Sequence, residues 1–259
     1  MFLEPLKTRT TLHFLLAALV VEQTEGAVFD FLRNFADFRA VAEITATLRK
    51  AGHRLIDLPE NEIKELHRLG TSSVMKSNVQ SGGYLVMEHI NASGEPVVPR
   101  TATRSPASFL ITPEIFANHV VRREVAQRYN NLWTQLRLDA IISPAVAYPA
   151  PPHGTYVSNA YLSIYNMLDY VTGSVPVTRV DLDLDVASSE WYKSEAYLRI
   201  KKTRFPYDWG DKEIKHLYKG LHEYKDSLVG IQVVCQRLRE EKLIGILKEV
   251  KALTSSLNS

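Results

Sequence analysis

Asp139-Ala-Ile-Ile-Ser-Pro144 and Val229-Gly-Ile-Gln-Val-Val234 are the stretches whose reading decides the fold. In the first, Ala140 to Ile142 reads as a short buried strand closed by Ser143-Pro144. The second sits in Leu228 to Cys235, a strongly apolar strand. Helical patterns flank both. Thr112-Pro113-Glu114 reads as an N-cap residue, a proline at the first helical position and an acid in the first turn. The helix it opens carries Ile115, Val121, Val125, Tyr129, Leu132 and Leu136 on roughly one face. Glu240 to Leu253 places Leu243, Ile246, Leu247, Val250 and Leu253 inward and Lys242, Lys248, Glu249 and Lys251 outward.

Further out the alternation continues. Arg39 to Ala51 sets Val41, Ile44 and Leu48 at helical spacing, with Gly52 as the C-cap. His53 to Leu58 reads as a strand stopped by Pro59. Ala160 to Leu168 suits a helix and Val175 to Val180 a strand. Strands separated by helices define an α/β protein, a mixed sheet covered by helices.

The 259 residues are 45% hydrophobic, enough for one large core or two small ones. A net charge of +2 gives no electrostatic case for nucleic acid or an anionic membrane. Lys201 to Lys225 mixes Lys, Arg, Tyr and Trp, but Asp208, Asp211, Glu213 and Glu223 break the basic run, so it reads as a surface excursion. Cys235 is the one cysteine and reads as a buried strand thiol. No apolar run reaches transmembrane length. Leu12 to Val21 comes nearest. With Lys7 and Arg9 ahead of it, it resembles a signal-peptide core, but no small-x-small cleavage site follows. A buried helix is the favoured reading and a cleaved signal the alternative; a cytoplasmic location is favoured. The Asn91-Ala92-Ser93 sequon matters only in a secreted chain.

A family resemblance emerges from blocks taken in order: Leu48-Arg-Lys-Ala-Gly-His53, Ser81-Gly82-Gly83, Ser93-Gly94-Glu95-Pro96, Asp139 to Pro144 running on to Pro149-Ala-Pro-Pro-His-Gly154, Tyr161 to Tyr170 with Ser174-Val-Pro-Val-Thr178, and Val229 to Val234. Together they resemble the C-terminal part of the amidase signature family, especially its fungal acetamidase-like members. The resemblance covers residues 39–259 and leaves 1–38 as a divergent N-terminal helical segment. There Phe29, Leu32, Phe35 and Phe38 would form an apolar face covering exposed core. Val171-Thr172 stands where the fungal members usually have Pro-Ala, and Leu228 stands where a proline usually precedes Val-Gly.

The resemblance implies amide hydrolysis by a Ser–Ser–Lys triad. A neutral lysine draws a proton through a bridging serine, and the nucleophilic serine attacks the carbonyl. The oxyanion is held by backbone N–H groups of a loop close to Gly-Gly-Ser-Ser-Gly-Gly. No such loop is present. Gly82-Gly83 is the chain's only Gly-Gly pair, and Gly70-Thr71-Ser72-Ser73-Val74, flanked by Lys64 and Lys76, lacks the following glycines. Turn and cap roles explain both stretches. No catalytic residue is therefore assigned. The expected protein is a truncated or degenerate amidase relative, inactive as written. One alternative is an active amidase whose Ser-Ser-Lys half comes from upstream sequence or a partner; another is a non-catalytic scaffold.

By the same resemblance His153 lies in a loop beside the substrate cavity, where scaffolding is favoured over contact. His153 and Asn166 are the candidate substrate-binding residues, and a small amide is the expected ligand. Asp181, Asp183 and Asp185 alternate as a cation-binding strand would, but read better as a solvated turn. His67 and His119 lack a spaced metal partner, so neither metal nor other cofactor is expected. An open sheet edge would call for self-association or a covering partner.

Overall fold

The computed structural model describes residues 15–18, 36–96, 109–146, 149, 160–185 and 221–255. The strands are β1 (Leu15–Ala18), β2 (Arg54–Asp57), β3 (Ala140–Pro144), β4 (Val171–Arg179) and β5 (Leu228–Cys235). The helices are α1 (Ala36–Lys50), α2 (Glu60–Val79), α3 (Tyr84–Ser93), α4 (Thr112–Leu136), α5 (Ala160–Met167) and α6 (Glu240–Ser255). A short 3₁₀ turn spans Leu221–Tyr224.

The strands form one mixed sheet in the order β2-β1-β3-β5-β4. β1 runs parallel to β2 and β3, whereas β5 runs antiparallel to β3 and β4. β3 and β5 are apolar almost throughout because helices cover both faces of the sheet. Successive residues serve opposite cores. Ile141 and Val234 join Ile63, Leu66, Val125, Tyr129, Trp133, Ile164 and Tyr165 on one face, beneath α2, α4 and α5. Ala140, Ile142, Ile231, Val233 and Cys235 join Val41, Ile44, Leu48, Leu243, Ile246 and Val250 on the other, beneath α1 and α6. Each fully buried aliphatic side chain contributes about 1.5–3 kcal/mol.

Local chemistry sets the ends of the elements. Gly52, with φ of 91°, lets the chain turn from α1 into β2. Pro176 is tolerated in β4 because β4 is an edge strand, and the ladder shifts register between Pro176 and Thr178.

Several expectations need correction. Leu12 to Val21 holds a strand, not a helix, at Leu15–Ala18, where four small or apolar residues fit between two parallel neighbours. The N-cap of α4 is Ile111 instead of Thr112, and the Glu114 carboxylate accepts the Ile111 N–H at 3.0 Å. Gly70 to Ser73 lies within α2, not in a turn. β4 opens at Val171, four residues earlier than its apolar pattern indicates. Phe29, Leu32 and Phe35, and most of the Lys201 to Lys225 excursion, lie outside the described residues.

Candidate functional site

Ser143 and Gln232 are the polar interruptions in the apolar runs of β3 and β5. The antiparallel register sets them opposite each other, and both are fully buried. The Gln232 amide Nε2 donates toward the Ser143 hydroxyl at 2.8 Å, the Pro144 carbonyl at 3.0 Å and the Tyr161 carbonyl at 3.0 Å. The Ser143 hydroxyl in turn donates to the Pro144 carbonyl at 3.1 Å. This network joins the end of β3 to the start of α5.

Tyr161 and Tyr165 lie one turn apart on the buried face of α5, and the His67 ring of α2 meets both edge-on, with centroids 6.3 and 6.4 Å away. Burial pushes His67 down to about 4, so the imidazole is neutral at pH 7. Burial also raises the Tyr165 phenol, an effect the neighbouring Ser143 hydroxyl partly offsets. The cluster is uncharged and closed to solvent. Its chemistry is to hold backbone in place, since a buried base of such low affinity for protons is poorly matched to proton abstraction near neutrality.

The residues singled out in the sequence fall in different places. Asn166 is the exposed position of α5 between buried Tyr165 and Met167, and its carbonyl accepts the Asp169 N–H at 3.2 Å. His153 lies outside the described residues. Pro149 of the same Pro-rich stretch is buried.

The Ser72-Ser73 pair is locked into helix geometry. Within α2 the backbone N–H groups of Gly70 to Ser73 bond four residues back, leaving none to hold an oxyanion. The Ser73 carbonyl accepts from the Ser77 hydroxyl at 2.9 Å and from the Asn118 amide of α4 at 3.1 Å. Lys76 stands exposed on the same helix. Gly82 and Gly83, with φ of 63° and 72°, make the left-handed turn between α2 and α3; Gly82 donates to Val79 at 2.8 Å.

The three aspartates are not one solvated turn. The Asp185 side chain is buried and forms a two-pronged pair with Arg39 of α1, Nε to Oδ1 at 2.8 Å and Nη2 to Oδ2 at 2.9 Å. Arg39 also donates to Glu43 at 2.8 Å, the Thr178 hydroxyl at 2.9 Å and the Arg179 carbonyl at 2.5 Å. Asp181 is the turn residue proper, its carboxylate accepting the N–H groups of Asp183 and Leu184. Those bonds hold it below the usual carboxylate range. Cys235 is a buried strand thiol, as its apolar setting indicated. Burial raises it to about 11, with Lys242 acting in the opposite direction. Among the described residues no group of three or more His, Cys, Asp or Glu is placed to hold a metal.

Sequence reasoning missed the Ser143–Gln232 network. Its signal was present, since a lone serine and a lone glutamine interrupt two otherwise apolar strands; the pairing between them depends on the fold.

A mixed sheet with helices on both faces, its strand ends tied by a buried polar network, places the chain among layered α/β proteins. The sequence matches the Amidase family over residues 36–244, and the chain belongs to that family. It is 27% identical to an acetamidase of Emericella nidulans over 227 residues, covering 85% of this chain and 38% of that one. It is also 27% identical to an acetamidase of Aspergillus oryzae over 226 residues, covering 83% and 38%. Among solved structures, a fatty acid amide hydrolase shares the fold with a TM-score of 0.72 at 20% identity, covering 93% of this chain and 40% of that chain. The chain thus spans about two-fifths of the length of the curated relatives it matches. No helix among the described residues is long and apolar enough to cross a membrane.

Proposed function

We propose that this chain supplies the scaffold on the substrate side of an amidase fold and hydrolyses no amide by itself. The helical state of Gly70 to Ser73 carries this reading. The stretch most like the family's Ser-Ser loop has its backbone donors spent inside α2, so it offers no oxyanion hole. Losing a triad alone can leave about 10³–10⁴-fold catalysis over water when an oxyanion hole survives. With no Gly-Gly-Ser-Ser-Gly-Gly loop in this sequence, that remnant is not expected either. His153 and Asn166 are assigned to the substrate side, with a small carboxylic amide as ligand. The test is ammonia release by the purified chain from acetamide, an aromatic amide and a fatty amide. No release above buffer is expected; hydrolysis lost in Ser72→Ala or Ser73→Ala overturns the proposal.

A second reading has an observation in its favour. Large apolar side chains stand in water on α3 and around the start of α4: Tyr84 is 70% exposed, Leu85 60%, Phe109 62% and Phe116 64%. Together with the two-fifths coverage, they support an amidase whose Ser-Ser-Lys half is supplied by further sequence or by a partner chain. In that case the complementary half copurifies with this chain, and the mixture hydrolyses an amide that neither part attacks alone. Absence of both a complex and activity counts against it.

A further inference from the structure

Gln232 does more than fill a core position. Its carboxamide is fully buried, and its two Nε2 hydrogens face three acceptors on two different elements. Two of those acceptors, Ser143 and Pro144, end β3; the third, the Tyr161 carbonyl, belongs to the first turn of α5. Residues 145–159, with His153 among them, join these two elements.

We infer that Gln232 is a positioning residue: a clamp that fixes the end of β3 against the start of α5 and so sets both anchors of the connecting segment. Strand pairing alone does not do this. The β3–β5 ladder holds Ser143 and Pro144, but it does not reach Tyr161. The side chain must be neutral and must donate. A carboxylate at 232 would turn acceptors toward three oxygens, and an aliphatic group would take the Gln232 donor away from the Tyr161 carbonyl. The length also matters, because the same Nε2 makes all three contacts and one methylene less draws it back from the Tyr161 carbonyl of α5. Only the last step, that the anchored segment serves the substrate side, rests on the function proposed above.

Hydrogen exchange of the purified full chain, resolved at single amides, tests the clamp. In Gln232→Met the amides of Ile164 and Tyr165, in α5, are expected to exchange about tenfold faster, while those of Val233 and Cys235 in β5 stay within about twofold of the parent. Gln232→Asn keeps the carboxamide and serves if the Met variant fails to fold; the same confined rise in α5 is expected. An equal rise in α5 and β5 means general core damage, and no change in α5 means no clamp; either result overturns the inference. Amide hydrolysis is not part of this readout. A chain that proved hydrolytic but showed the confined rise would refute the proposed function and leave the clamp standing.

Discussion

Arg39→Met removes the guanidinium that is paired two-pronged with the buried Asp185 carboxylate. The Asp185 side chain is 1% exposed and Arg39 19%. Among the described residues, Asp185 without the arginine keeps the Asp181 N–H at 2.8 Å. Removing one partner of a buried pair costs about 3–5 kcal/mol, because the remaining charge stays desolvated. The retained backbone bond and the partial exposure of Arg39 place this pair at the lower end, about 3 kcal/mol. Methionine preserves much of the aliphatic stem, so lost packing contributes little. With a urea slope of about 3 kcal/mol/M, the unfolding midpoint falls by about 1 M. Arg128→Met is the control. Arg128 pairs with Glu62 at 2.8 Å in the same two-pronged way, but both side chains are more exposed, at 26% and 34%. It is expected to cost under about 1 kcal/mol. The double variant Arg39→Met/Asp185→Leu should recover most of the loss, since no buried charge is left unpaired. Equal midpoint shifts for Arg39→Met and Arg128→Met, or no recovery in the double variant, would refute the reasoning.

Two further outcomes follow from the core. His67 sits at about 4 in the folded chain against 6.5 when unperturbed, so the unfolded chain binds more protons between those values. Its contribution is complete above about pH 6.5 and is lost as pH falls toward 4; His67→Phe should flatten the acid-side fall in the urea midpoint, and an unchanged slope would exclude His67 as its source. Gly70→Ala sets two effects against each other. Helix propensity favours alanine by about 1 kcal/mol, but the new methyl would stand 2.8 Å from Ile164 Cδ1 and 2.9 Å from its Cγ1. Overpacking costs about 1–3 kcal/mol, so a net loss near 1 kcal/mol is expected, with recovery on adding Ile164→Val. A gain in thermal midpoint for Gly70→Ala alone would show that α5 yields freely.

The elements most legible in the sequence are those in which one periodicity dominates. Leu228 to Cys235 is a strongly apolar run, interrupted by the polar Gln232, and forms a strand over those residues. Val41, Ile44 and Leu48, and Leu243, Ile246 and Val250, fall at helical spacing and are buried accordingly. Leu12 to Val21 misled because a short apolar run has no period to separate helix from strand; parallel neighbours on both sides decide it. Gly70-Thr71-Ser72-Ser73 looks like turn chemistry, yet tertiary packing holds it helical, with glycine allowing close approach to Ile164. Asp185 looked solvated because its partner, Arg39, is 146 residues away in the chain. The Ser143–Gln232 network was hidden for the same reason. Local sequence shows that a polar residue sits in a strand, and only the register shows what faces it.

β1 has a consequence for the order of events during synthesis. Leu16 pairs with Arg54's neighbour Leu55 on one side and with Ala140 on the other. At about 5–20 residues per second, residue 140 leaves the ribosome some 6–25 s after residue 16. Through that interval Leu15–Ala18 has at most one of its two neighbours, and the β2–β1 pair has an unmet parallel edge. Until β3 arrives that open edge is a template for pairing with other chains, and covering it is a task for a chaperone.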